Sequence, residues 1–266
     1  METNILFPLA LTLFAGLSTG IGSLIAFFAK KTNKKFLSYS LGFSAGVMIY
    51  ISFVELFAQS QSILMQQYGE KMGMSWTVVF FFIGILFIGI IDRLVPSVEN
   101  PHEVRSIESM KDKPKTNAKL MRVGVMTALV IGIHNFPEGI ATFISAMENP
   151  KLGIAIAVAV AIHNIPEGIA VSIPIYQATG DKRKAFRLSF LSGLAEPIGA
   201  ILAYLVLMPF LSQVLLGFVF ALVAGIMVFI SLDELLPAAR EYGEHHISIY
   251  GLISGMAIMA VSLILL

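Results

Sequence analysis

The chain has 266 residues, 56% of them hydrophobic and only 13% charged, with a formal net charge of +1. A soluble domain carries about 25% charged residues, so composition excludes one, and the charges are not pooled into a basic region that would bind nucleic acid. Cysteine is absent, which removes disulfides, thiolate metal sites and thiol catalysis, and leaves His, carboxylate, Asn, carbonyl or water as ligands for any metal.

Eight apolar stretches are each long enough to cross a bilayer, which takes roughly 20 residues. They run over 5–29, 37–58, 76–95, 120–146, 152–177, 186–208, 214–238 and 247–266. The N-terminus enters the first stretch with no basic region and no small-residue cleavage signal, so it reads as a retained span and not a signal peptide. Between spans 3 and 4, residues 96–119 are polar, Pro-containing and of mixed charge, the composition of a flexible cytoplasmic loop. The whole of 1–266 is otherwise one integral-membrane domain.

Basic residues set the orientation. Lys30, Lys31, Lys34 and Lys35 follow span 1, Arg93 to Arg122 carry seven between spans 3 and 4, Lys182, Arg183, Lys184 and Arg187 lie between spans 5 and 6, and Arg240 between 7 and 8. Sixteen of the 18 basic residues thus share one side, against Lys71 and Lys151 on the other. That side is cytoplasmic, which places both termini outside the cell membrane.

Two spans repeat. Ala45-Gly46-Val47-Met48-Ile49-Tyr50-Ile51-Ser52-Phe53-Val54-Glu55-Leu56 of span 2 returns in span 7 as Ala224-Gly225-Ile226-Met227-Val228-Phe229-Ile230-Ser231-Leu232-Asp233-Glu234-Leu235, with seven of twelve positions identical. Gly16-Leu17 and Ile21-Gly22 of span 1 are echoed by Gly193-Leu194 and Ile198-Gly199 of span 6. The offsets, 179 and 177, imply one repeated three-helix unit. Span 1 enters the membrane from outside and span 6 from inside, so the two units are inverted. Inverted repeats with helices interrupted near the axis mark secondary transporters whose site lies at mid-membrane.

Spans 4 and 5 carry a second repeat, His134-Asn135-Phe136-Pro137-Glu138-Gly139 and, 29 positions on, His163-Asn164-Ile165-Pro166-Glu167-Gly168. His and Glu four residues apart share a helix face, and each proline leaves the carbonyl of Ile133 or Ile162 without its helical donor. A charge at bilayer depth costs on the order of 2.5–3.5 kcal/mol, so a duplicated His–Glu pair there needs a purpose. Both histidines come about 17–18 Å along their antiparallel helices, at the same depth. His134, Glu138, His163 and Glu167 offer two imidazoles and two carboxylates, a set suited to Zn²⁺ or another first-row divalent ion. Asn135 and Asn164, about 100° around the helix, offer carbonyl oxygens to an adjacent position with Glu196, which precedes Pro197 in span 6. Three ionised glutamates make an empty site at −3; one divalent ion leaves −1 and two leave +1. An empty site is therefore expected to take up protons, and metal–proton exchange follows as an expectation.

These residues give the chain a resemblance to the ZIP (Zrt-, Irt-like) metal-transporter family, carried by HNFPEG at 134–139, HNIPEG at 163–168, Gly193-Leu194-Ala195-Glu196 and Ser231-Leu232-Asp233-Glu234-Leu235. The resemblance covers nearly the whole chain. It implies an all-α membrane protein of eight helices in a 3+2+3 arrangement, with inverted repeats of spans 1–3 and 6–8 around metal-binding helices 4 and 5. It also implies a homodimer in membrane lipid that takes up Zn²⁺, and further divalent ions such as Fe²⁺, Mn²⁺, Co²⁺ and Cd²⁺, as transported substrate and not as a catalytic cofactor. The implied site is binuclear: His134, Glu138, His163 and Glu167 on one ion, Asn135, Asn164 and Glu196 on the second, with Glu138 and Glu167 bridging. An intramembrane metalloprotease would need His-Glu-x-x-His, which occurs nowhere. A Ca²⁺ or Mg²⁺ carrier would use oxygen ligands alone. A divalent-cation channel, or a metal–proton exchanger working in a different direction, is the alternative class.

Overall fold

The computed structural model describes residues 5–28, 34–94, 118–207, 210, 212–242 and 245–265. Among these the chain is helical throughout: α1 (Leu6–Phe28), α2 (Lys34–Ile51), α3 (Ala58–Tyr68), α4 (Glu70–Leu94), α5 (Ala118–Glu148), α6 (Pro150–Thr179), α7 (Lys182–Gly193), α8 (Ala195–Leu202), α9 (Gln213–Ile230), α10 (Leu236–Tyr242) and α11 (His245–Leu265). Seven helical rods among the described residues are long and apolar enough to cross a membrane: Leu6–Phe28, Ser38–Tyr68, Glu70–Arg93, Pro150–Thr179, Lys182–Val206, Gln213–Arg240 and His246–Ile264. The remaining expected span, 120–146, falls within α5, whose 31 residues reach about 46 Å at 1.5 Å each. The loop expected over 96–119 lies outside the described residues as far as 117; Ala118 and Lys119 already belong to α5.

The turns follow local chemistry. Asn149 caps α6, its side chain accepting from the amides of Lys151 at 3.0 Å and Leu152 at 3.4 Å, with Pro150 at the first helical position. Gly180, at φ 68°, ends α6 in the left-handed conformation that glycine adopts without penalty. Asp181 then caps α7 through the amides of Arg183 at 2.8 Å and Lys184 at 3.2 Å.

Three departures from the sequence reading concern helix continuity. The second span does not stop at 58; a π-helical turn over Ser52–Phe57 carries it into α3 and on to Tyr68. Its repeat partner Ser231–Leu235 is π-helical too, joining α9 to α10. In each case the first serine donates back to its own helix, Ser52 to Met48 O at 2.6 Å and Ser231 to Met227 O at 2.7 Å. Thirdly, α5 and α6 run unbroken through Pro137 and through Pro166 and Pro174. A proline removes one helical hydrogen bond, whereas unwinding in lipid would strand several more, so the helix persists. In span 6 a single turn residue, Leu194, separates α7 from α8, and its helical backbone keeps the rod continuous.

Small residues let the helices approach at backbone distance, the usual basis of association in lipid. α1 packs along α6, α5 along α8, α2 along α11 and α4 along α9. A Cβ on Gly22 would run into the carbonyl of Ile165, and one on Gly199 into that of Phe136. Likewise Gly46 abuts the carbonyl of Leu252 and Gly225 that of Phe81. The same crossings are thus built twice: Gly22 and Gly199 differ by 177 positions and Gly46 and Gly225 by 179, the offsets of the sequence repeats.

Candidate metal site

Each six-residue motif ends on a glycine, and packing explains why. A Cβ on Gly139 would lie 2.6 Å from the carbonyl carbon of Glu196, and one on Gly168 would run into the carbonyl of Thr19. Both neighbours are backbone, which cannot swing aside as a side chain would. The first motif is therefore pressed on α8 at Glu196, and the second on α1. Ser189 of α7 ties the second contact further, its hydroxyl lying 3.3 Å from the carbonyls of both Thr19 and Gly168.

The polar side chains of the motifs are buried where these helices meet. Asn135, Asn164 and Glu196 are each 0% exposed, Glu138 1% and Glu167 8%. Asn164 Nδ2 donates to the carbonyl of Ala15 on α1 at 2.9 Å and to Glu196 Oε1. Asn135, with its amide oriented to satisfy both ends, donates to Glu167 Oε2 at 3.1 Å and to the carbonyl of Ile131 at 3.3 Å. One link joins α5 to α6 and the other α6 to α8. Hydrogen bonds of this type to an ionised group contribute about 1.5–3 kcal/mol each. Glu138 stands three residues beyond Asn135 on the same face of α5.

These contacts give the asparagines a role that the sequence reading did not include. Their amide nitrogens orient the carboxylates of the neighbouring helix. With its nitrogen committed to Ala15 and Glu196, Asn164 keeps a buried Oδ1 that has no hydrogen-bond partner among the described residues. That oxygen is a carbonyl donor of the kind a divalent cation takes.

His134 and His163 lie in α5 and α6, each one residue before its asparagine; their imidazoles are outside the described side chains. Among the described residues no group of three or more His, Asp or Glu side chains is arranged to hold a metal ion. What the structure brings together is Asn135 with Glu167 and Asn164 with Glu196, and Glu138 is buried on α5 three residues beyond Asn135.

Three further polar residues went unremarked in the sequence. Thr142 and Ser145 follow Glu138 by four and seven residues, on the same face of α5, and Thr19 faces α7 from α1. All three hydroxyls are buried without a hydrogen-bond partner among the described residues. A hydroxyl in a membrane helix ordinarily bonds a carbonyl of its own preceding turn, as Ser52 does, so these three stand out. The i+4 and i+7 spacing after Glu138 was the available signal.

Known proteins are similar to the chain over nearly its whole length. The pattern of the family described as "ZIP Zinc transporter" matches residues 4–263. A protein of Streptococcus mutans named "Zinc transporter ZupT" is 63% identical over 265 residues, covering 100% of this chain and 99% of its own length. The protein of the same name from Oceanobacillus iheyensis is also 63% identical, covering 99% of each chain. That from Clostridium perfringens is 59% identical, covering 98% of this chain and 96% of its own.

Proposed function

The chain belongs to the ZIP zinc transporter family, and from that membership we propose that it takes up Zn²⁺ into the cytoplasm through the buried Asn–Glu cluster of α5, α6 and α8. It is a multi-pass membrane transporter and not an enzyme. The observation that carries the specific reading is the pair of links from Asn135 to Glu167 and from Asn164 to Glu196. They hold two carboxylates, Glu167 of α6 and Glu196 of α8, by the asparagines of neighbouring helices, and Glu138 is buried three residues beyond Asn135 on α5. Unneutralised carboxylates there are costly, and a divalent ion offsets that cost by its own charge.

On this reading His134, Glu138, His163 and Glu167 hold one ion, Asn135, Asn164 and Glu196 hold a second, and Glu138 and Glu167 bridge them. The unpartnered Oδ1 of Asn164 supports the second position. The imidazoles favour Zn²⁺ and other first-row ions over Ca²⁺ and Mg²⁺. The buried hydroxyls of Thr142 and Ser145 extend the polar face of α5 beyond Glu138 and supply stations along the path.

The doubled glycine crossings support an eight-span 3+2+3 architecture of inverted repeats around α5 and α6, with alternating access arising when the repeats exchange conformations. Loop charge supports placement in the bacterial plasma membrane with both termini outside, and the family resemblance supports a homodimer. The test is uptake into metal-free liposomes holding the purified chain, with zinc competing against Fe²⁺, Mn²⁺, Co²⁺ and Cd²⁺ and with pH set on each side. Zinc should accumulate above protein-free vesicles; accumulation no greater than theirs would overturn the proposal.

A further inference from the structure

A cavity of about 730 Å³ opens between α4, α5, α7 and α9, on the face of α5 that carries Phe136 and Pro137 of the first motif. Its walls include Phe87, Leu129, Leu188, Leu191 and Leu222, and its only polar side chain among the described residues is Ser192, whose hydroxyl is already spent on the carbonyl of Ser189 at 2.7 Å. Phe87, Leu129 and Leu191 are each about half exposed, at 49%, 52% and 56%, so the cavity is open to the membrane. A second cavity of about 460 Å³ shares the walls Leu188 and Leu191 and is otherwise lined by Asp181, Arg183, Lys184 and Arg187.

One face of α7 therefore passes from basic to apolar: Lys184 to Leu188 and Arg187 to Leu191 are each four residues apart. The Asp181 carboxylate is occupied in capping α7, and among the described residues Arg183, Lys184 and Arg187 form no ion pair. The repeat does not explain this rim. The positions 177 earlier are Leu6, Phe7 and Ala10 on α1, none of them charged.

We propose that these two adjoining cavities together bind an anionic phospholipid, its head group held by Arg183, Lys184 and Arg187 and an acyl chain lying between α5, α7 and α9. Basic pockets beside membrane-spanning helices on the positive side recognise such head groups. A free phosphate would meet only the rim and a neutral lipid only the apolar part; an anionic lipid satisfies both. Arg183, Lys184, Arg187 and Leu191 include none of the proposed metal ligands, so failure here leaves the transport reading intact.

The experiment is native mass spectrometry of the full chain in detergent with phosphatidylglycerol or phosphatidylcholine of identical acyl chains. Phosphatidylglycerol should be retained preferentially. The triple variant Arg183→Gln, Lys184→Gln, Arg187→Gln should lose that preference by on the order of a hundredfold, from about fivefold per basic residue. Leu191→Trp should displace the same lipid by filling the apolar cavity while leaving the charges in place. Millimolar inorganic phosphate should leave the lipid bound. Equal retention of the two lipids by the native chain, unchanged retention in both variants, or complete displacement by phosphate would each overturn the proposal.

Discussion

Replacing Gly22 with alanine should disable transport by adding one methyl group to a residue that contributes no ligand. The new Cβ would lie 2.9 Å from the carbonyl carbon of Ile165 and 3.1 Å from Gly168 Cα, with the Ile165 oxygen closer still. Carbon atoms prefer about 3.5–4.0 Å, so α1 and α6 must part by about 1 Å. Asn164 is held to the Ala15 carbonyl at 2.9 Å across that same contact, and the same parting takes the pair beyond hydrogen-bond range. Overpacking of this kind costs about 1–3 kcal/mol, and the loosened Asn164 no longer orients Glu196. We expect zinc uptake into liposomes to fall at least about tenfold, since ~1 Å of misplacement is that costly to a preorganised site, together with a lowered melting temperature. Gly132→Ala is the matched control, because its nearest neighbour would be Ser192 Cα at 3.9 Å, ordinary contact distance; it should transport normally. Native rates and an unchanged melt for Gly22→Ala would refute the claim that the α1–α6 contact positions the second motif.

Glu196→Gln should lower metal stoichiometry before it lowers rate, since it keeps an oxygen beside Asn164 but removes a negative charge; equilibrium metal analysis finding two tightly bound ions would contradict this. Exchanging His134 and His163 together for Asp should raise the Mn²⁺/Zn²⁺ uptake ratio, because oxygen ligands suit the harder ion; an unchanged ratio with substantial zinc transport would remove the histidines from the selective site. Cysteines at Ala141 or Ala170, buried at 3% and 6% in a chain with no native cysteine, should label from one side at a time, with saturating metal shifting the balance. Simultaneous labelling from both sides at rates that metal does not change would indicate a channel.

Much of this arrangement is legible in the amino-acid sequence. Hydropathy located the helices, and the 177 and 179 offsets anticipated crossings that the glycines then make twice. The π-helical turns at Ser52–Phe57 and Ser231–Leu235 left no such trace, because a single widened turn changes no hydrophobic period over the lengths available. Pro137 and Pro166 misled in the other direction: a helix breaker in water is tolerated in lipid, where unwinding leaves more groups unsatisfied. The asparagines were legible as polar members of the site but not as hydrogen-bond donors to carboxylates on neighbouring helices. That role depends on which helix lies opposite, and only Gly139 against Glu196 and Gly22 against Ile165 decide it.

The central claim is that metal crosses by way of the buried carboxylates. Its most direct test is zinc uptake by liposomes carrying Glu138→Ala or Glu167→Ala, compared with the native chain at equal inserted protein. Both side chains are at least nine-tenths buried, and each is assigned to both ions, so neither loss has a substitute. Uptake should fall to the level of protein-free vesicles for each variant, with insertion preserved; near-native uptake by either would contradict passage through these carboxylates.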